Sequence, residues 1–175
     1  MQLNDIQRAC TGSELAVGPP VRGWREWTIT ADGLRGAQGR LWRPGTNTAE
    51  CYGRHAVMLR VLDDALASAG LAIPPHAVER WCTCGLYSWR QPDRIRFRQD
   101  KVAGAVESWG RVLIGEHGYR AQYARVVAIC GPRASSNGTR HNSPTREERT
   151  AVAARYGVPY FETLDDAVAH FDGGR

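Results

Sequence analysis

The chain has 175 residues, 42% of them hydrophobic, and a formal charge of +5. That length holds one domain of ordinary size, or one domain with an appendage, and five cysteines cannot all pair, which argues against a secreted disulfide framework. There is no long apolar run and the opening Met1-Gln2-Leu3-Asn4-Asp5 is polar, so neither a membrane span nor a signal peptide is expected, and a cytoplasmic location is.

In chain order, residues 1–19 read as an N-terminal arm running into Gly18-Pro19-Pro20. A core follows over 20–131 and holds all six tryptophans, from Trp24 to Trp109. Trp24 to Thr30 predicts a strand, with Ala31-Asp32-Gly33 as its turn. Leu41-Trp42-Arg43 predicts a second short strand, closed by Pro44-Gly45. The apolar spacing from Val57 to Ala67 predicts a helix stopped at Gly70. Arg94-Ile95-Arg96-Phe97-Arg98 alternates and predicts an amphipathic strand. Val102–Val106, Arg111–Ile114 and Ala124–Ile129 predict three more, punctuated by glycines at 104, 110, 115, 118 and 131. Gly inside a strand marks bulges and tight corners. Residues 132–142 form a polar linker rich in Gly, Pro and Ser. The tail, 143–175, predicts a helix opened by Thr145 and Glu148 as a capping box and stopped at Gly157, an extended Val158–Phe161, and a last helix capped at Thr163. Some 30 residues of this kind cannot bury a core alone, so the tail should dock on the core or on a partner. The fold class expected is mainly β (α+β): a small antiparallel sheet, barrel-like or strongly bent, with one or two helices and a helical C-terminal tail.

Thiols are the first chemical signal. Three of the five cysteines fall between Cys51 and Cys84, and Cys82-Thr83-Cys84-Gly85 is a C-x-C-G motif. Clustered thiols in a cytosolic chain suggest a metal rather than disulfides. Zinc takes four N or S ligands in a tetrahedron. Cys51, Cys82, Cys84 and His117 make such a set, with His76 competing for the nitrogen position. C-x-C is narrower than the usual C-x2-C spacing, and all three thiols also suit small buried hydrophobes. Cys10 sits in the polar arm and Cys130 ends an apolar strand, so neither is placed as a ligand. The sequence lacks H-E-x-x-H, a complete zinc-deaminase signature, a P-loop, G-x-G-x-x-G and G-x-S-x-G. A structural zinc therefore fits better than a catalytic one.

Aromatic and basic residues are the second signal. Trp109, Arg111, Tyr119 and Arg120 gather around one predicted hairpin. Aromatic faces beside guanidinium groups stack bases and hold phosphates. Arginine outnumbers lysine 22 to 1, an excess that genomic base composition also produces, so charge alone does not name nucleic acid as partner. Residues 90–125 carry seven Arg and one Lys against four acids, and residues 141–175 carry four Arg against six. An anion-binding face therefore belongs before residue 131.

These blocks together resemble a family of uncharacterised proteins from actinobacteria and their phages. The likeness is carried by Trp24 to Trp27, Trp42-Arg43-Pro44-Gly45, Ala49-Glu50-Cys51, Cys82 to Tyr87 as C-x-C-G-h-Y, Val102 to Val112 as V-x-G-x-V-x-x-W-G-x-V, and Gly118-Tyr119-Arg120-Ala121. His117 stands directly before Gly118, closer than the family pattern sets it, and 57–69 looks like an insertion. The resemblance spans the core and implies one coherent domain.

Three functions are then open. The leading expectation is a non-enzymatic, zinc-stabilised module contacting nucleic acid or a nucleotide-like ligand. The second is a phage- or prophage-borne interaction protein docking on a host protein through its tail. The third is a small enzyme acting on a nucleotide or an ADP-ribose-like group, with Glu107 and His117 as the residues to inspect.

Overall fold

A computed structural model describes residues 14–16, 18–37, 39–50, 78, 84–96, 100–133 and 143–173. The mainly β fold expected is present. Among the described residues there are nine strands: β1 (Glu14–Ala16), β2 (Val21–Thr30), β3 (Gly33–Arg35), β4 (Leu41–Trp42), β5 (Asn47–Thr48), β6 (Leu86–Trp89), β7 (Lys101–Ile114), β8 (Gly118–Cys130) and β9 (Tyr160–Phe161). Two α-helices follow the long strands, α1 (Arg146–Tyr156) and α2 (Leu164–Asp172). No helix among the described residues is long and apolar enough to cross a membrane.

All strands form one sheet, and its pairing closes on itself. β7 pairs with β8, β8 with β6, β6 with β2, and β2 returns to β7. The β2–β6 join is the single pair Trp24–Trp89, so the ring is narrowly stitched there. β3 and β4 extend outward from β2. β1, inside the predicted arm, pairs with the far end of β7.

Alternation sends the side chains of β7 to two cores. Val102 and Val106 join a cluster with Trp27, Leu34, Trp42, Leu86 and Leu113. Ala103 and Ala105 join another with Trp24, Tyr87, Trp89 and Ile95. Successive strand residues point to opposite faces, so one strand serves both. β8 keeps step only by changing phase. Ala105 faces Ala128 but Val106 faces Val126, which leaves Val127 as an extra residue. Before this bulge the even-numbered Ala124 and Val126 lie in the first cluster; after it the odd-numbered Ile129 does, while Ala128 and Cys130 lie in the second.

The three predicted strands at 102–106, 111–114 and 124–129 are thus parts of two long ones. Gly110 does not end a strand. It sits at φ 75° in a second bulge, where Gly110 and Arg111 together oppose Gln122, and the Gln122 side-chain oxygen accepts from the Arg111 N–H at 3.3 Å. The true turn is Gly115 to Gly118, closed by a 2.8 Å bond. The strand predicted at 94–98 is corrected over its described part. Pro92–Arg94 form a 3-10 turn, with the Ile95 N–H donating to Pro92 O at 3.0 Å, and residues 95–96 are irregular. Proline fixes φ and removes a ladder donor, which favours this turn. The alternation survives as burial, with Ile95 inside and Arg94 and Arg96 outside. Phe97, Arg98 and the helix predicted at 57–67 lie outside the described residues.

The tail docks on the sheet. Thr145 and Glu148 cap α1 reciprocally and Gly157 ends it at φ 65°; Thr163 and Asp166 cap α2 in the same way. Between the helices β9 lies parallel to the end of β8. α1 contributes Val152, Ala153 and Tyr156 to the first cluster, and α2 contributes Leu164 and Ala167 to the second.

Candidate functional site

The end of β6 is where several elements converge. Trp89 pairs with Gly118 on one side and Trp24 on the other. The chain then leaves the sheet at Arg90, whose N–H donates to His117 O at 3.0 Å, and passes through Gln91 into the Pro92 turn. The last turn of α2 arrives beside it. Arg22 of β2 fastens that turn, with its guanidinium 4.3 Å over the Phe171 ring and a 3.5 Å bond to Phe171 O. Trp24 meets the same ring edge-on at 6.2 Å. Between these parts lies an open cleft of about 500 Å³, lined by Trp24, Arg90, Gln91, Pro92, Tyr119 and Asp172.

The cleft lining is mostly polar, with Arg90 and Asp172 as its charged side chains and Tyr119 as its more accessible ring. Trp24 is only 5% exposed and Tyr119 is half-buried. The Arg90 guanidinium lies 5.9 Å from the Tyr119 ring centroid, at the outer range of a cation–π contact. Arg94 stands on the same connection. Asp172, at the end of α2, is the carboxylate among the lining residues.

His117 is held beside the cleft. Arg94 Nη2 lies 3.4 Å from its Nδ1, and Glu116 Oε1 lies 3.2 Å from its Nε2. Arginine only donates, so a bond from Arg94 uses Nδ1 as the acceptor, and Nε2 is the nitrogen that can donate to the carboxylate. Both ring nitrogens are thereby engaged by protein.

The structure does not bring His117 to Cys84. Cys84 lies just before the end of β6 that carries the Leu86–Ala121 pair, and His117 lies just beyond the Trp89–Gly118 pair at the other end. At least about 10 Å of strand separates them, whereas two ligands of one zinc sit within about 4 Å of each other. Cys51, Cys82 and His76 lie outside the described residues. Among the described residues, no group of three or more His, Cys, Asp or Glu is placed to hold a metal. Cys84 is buried. Cys130 is fully buried, and burial pushes its thiol up to about 12.

The four predicted ligand residues are spread over the hairpin. Tyr119 lines the cleft. Trp109 stacks on Tyr123 from the facing strand, with centroids 6.1 Å apart. Arg111 occupies the Gly110 bulge beside Gln122. Arg120 is 5% exposed, and its aliphatic stem occupies the space where a Cβ on Gly85 would stand. Glu107 is engaged by Arg125 at 2.8 Å and by Arg22 at 3.5 Å. Arg90, Gln91 and Asp172 were not singled out by the sequence. The available signal was Arg90-Gln91-Pro92 following the buried Trp89, a charged exit from an apolar strand.

Comparison with known proteins finds no family model, no curated protein and no solved structure that matches the chain.

Proposed function

We propose that this protein is a non-enzymatic binding module whose cleft receives a nucleotide-like or nucleic-acid ligand. The observation that supports it best is the Arg90 guanidinium over the Tyr119 ring at the mouth of a cleft backed by Trp24. A π-face beside a cation suits a base joined to a phosphate. The test separates this cleft from the Trp109–Tyr123 stack farther along the hairpin. Binding of ribonucleotides and of DNA and RNA oligomers is measured by calorimetry at low and moderate salt. Tyr119→Ala and Arg90→Ala are expected to weaken binding about tenfold, at about 1–3 kcal/mol per stacked base, while Trp109→Ala leaves it unchanged. Absence of binding to all of these ligands would remove the proposal.

We also propose that zinc stabilises the fold through Cys51, Cys82 and Cys84. The separation of His117 from Cys84, and its engagement by Arg94 and Glu116, leave His76 as the nitrogen ligand of this proposal. Elemental analysis of the purified chain is expected to give one zinc, retained in His117→Ala and lost in Cys82→Ser and His76→Ala. A metal-free wild type, or zinc lost only with His117, would overturn it.

A further inference from the structure

We infer that the cleft is built for a free mononucleotide, a nucleoside monophosphate, rather than for a stretch of nucleic-acid polymer; this rests on the binding reading above. The distribution of charge around the cleft carries the inference. A polymer carries a phosphate at every step and needs a positive track that continues past each base. Here Arg90 and Arg94 lie on the connection leaving β6, with Asp93 between them, and Arg22 lies against Phe171. Another wall of the same cleft is Asp172 at the C-terminal end of α2. The C-terminal end of a helix is its negative end; Arg22 meets that end at Phe171 O, and the exposed Asp172 carboxylate adds a full charge beside it. Phosphates continuing past that wall meet repulsion, and Glu116, exposed beside His117, adds another negative group on the flank.

A mononucleotide has the opposite requirement. Its phosphate is one anionic end, and its ribose hydroxyls or exocyclic amine are neutral donors that a carboxylate accepts from. Arg90 is available to the first and Asp172 to the second, and the half-buried Tyr119 ring in the same lining is available to the base. The cleft volume of about 500 Å³ lies in the range of small-molecule sites. The wall is also fixed in place, because Arg22 ties Phe171 by ring and by carbonyl.

The experiment titrates the full chain calorimetrically with adenosine, guanosine, cytidine and uridine monophosphates, with adenosine, with inorganic phosphate, and with single-stranded DNA and RNA 12-mers at 50 and 200 mM salt. At least one monophosphate is expected to bind once per chain, about tenfold more tightly than its nucleoside or phosphate alone. The 12-mers are expected to bind more weakly than that monophosphate. Asp172→Ala is expected to weaken monophosphate binding several-fold and to strengthen 12-mer binding, an opposed pair of shifts that simple loss of structure does not produce. Arg90 and Asp172 are exposed, and circular dichroism of both variants checks the fold. Binding of the 12-mers with no monophosphate binding would overturn this inference and leave the binding module standing. Binding of neither would overturn both.

Discussion

Burial decides the chemistry of Cys130. Its thiol is raised from an ordinary 9.0 to about 12, chiefly by desolvation, so at pH 8 it stays protonated, and the thiolate is the reactive form. Alkylation of the native protein at pH 8, mapped by mass spectrometry, should leave Cys130 unmodified, and labelling should appear on unfolding. Linkage gives a second readout. The folded state holds this proton above pH 9 while the unfolded chain releases it, so the associated stability is complete below pH 9 and drains away toward pH 12. The advantage of wild type over Cys130→Ala in urea unfolding should therefore shrink between pH 8 and pH 10; an unchanged gap would contradict the buried thiol. The burial of Cys130 was legible in the sequence, since it ends an apolar run. The burial of Arg120 was not. A lone sequence presents an arginine as a surface charge. Its place depends on Gly85 lying near it across the β6–β8 pairing, where the missing Cβ makes room for the stem. Arg90 and Asp172 were hidden for a related reason: they line one cleft only because α2 returns to the end of β6 from more than eighty residues away.

Among the elements, α1 is tied to the sheet by the Tyr156 hydroxyl, and Arg155 donates to Ala31 O and Asp32 O in the turn after β2 at 2.8 and 2.7 Å. Tyr156 O–H donates to Trp42 O and accepts from Leu34 N–H at 2.9 Å, bridging β3 and β4. The missing side chain of Gly33 permits this approach, since a Cβ there would lie 2.7 Å from the hydroxyl. Tyr156→Phe keeps the packing but strands a buried donor and a buried acceptor. It should cost about 2 kcal/mol, read as a lower urea midpoint at unchanged slope; a loss below about 0.5 kcal/mol would show that water reaches both groups. Helix ends were the most legible elements here, because the caps at Thr145, Gly157 and Thr163 are local chemistry. The long strands were less so. Gly110 and Gly104 carry the same letter as a turn, but Gly110 turns a bulge at positive φ and Gly104 lets the Ala128 carbonyl approach. Only the pairing partner separates a bulge from a break. Gly104→Ala forces a Cβ into that carbonyl and should cost about 3 kcal/mol at the upper end of overpacking, measured in the same urea series; a neutral result would mean that the β7–β8 pairing yields easily.

Across the whole molecule, the tail is an integral part of the fold. The linker composition at 132–142 marks a change of character in the sequence, yet the residues beyond it complete both clusters and add β9 to the sheet. Composition reports the solvation of a segment and carries no information on what packs across it. Burying Val152, Tyr156 and Leu164 alone contributes about 5 kcal/mol, comparable to the net stability of many domains of this size. Two truncations measure the consequence. Ending the chain at Gly131 removes α1, β9 and α2, uncovers both clusters and leaves the end of β8 without its parallel partner. That protein should show no cooperative melt by circular dichroism and should expose apolar surface to a hydrophobic dye. Ending it at His170 removes only residues 171–175, among them Phe171 and Asp172. The sheet and both helix cores remain, so a cooperative melt should persist with stability lowered by about 1–2 kcal/mol, the worth of the Phe171 ring between Arg22 and Trp24. The same truncation deletes the acidic wall of the cleft. A 131-residue chain that melted like the full protein would show instead that the sheet is self-sufficient and the tail an addition to it.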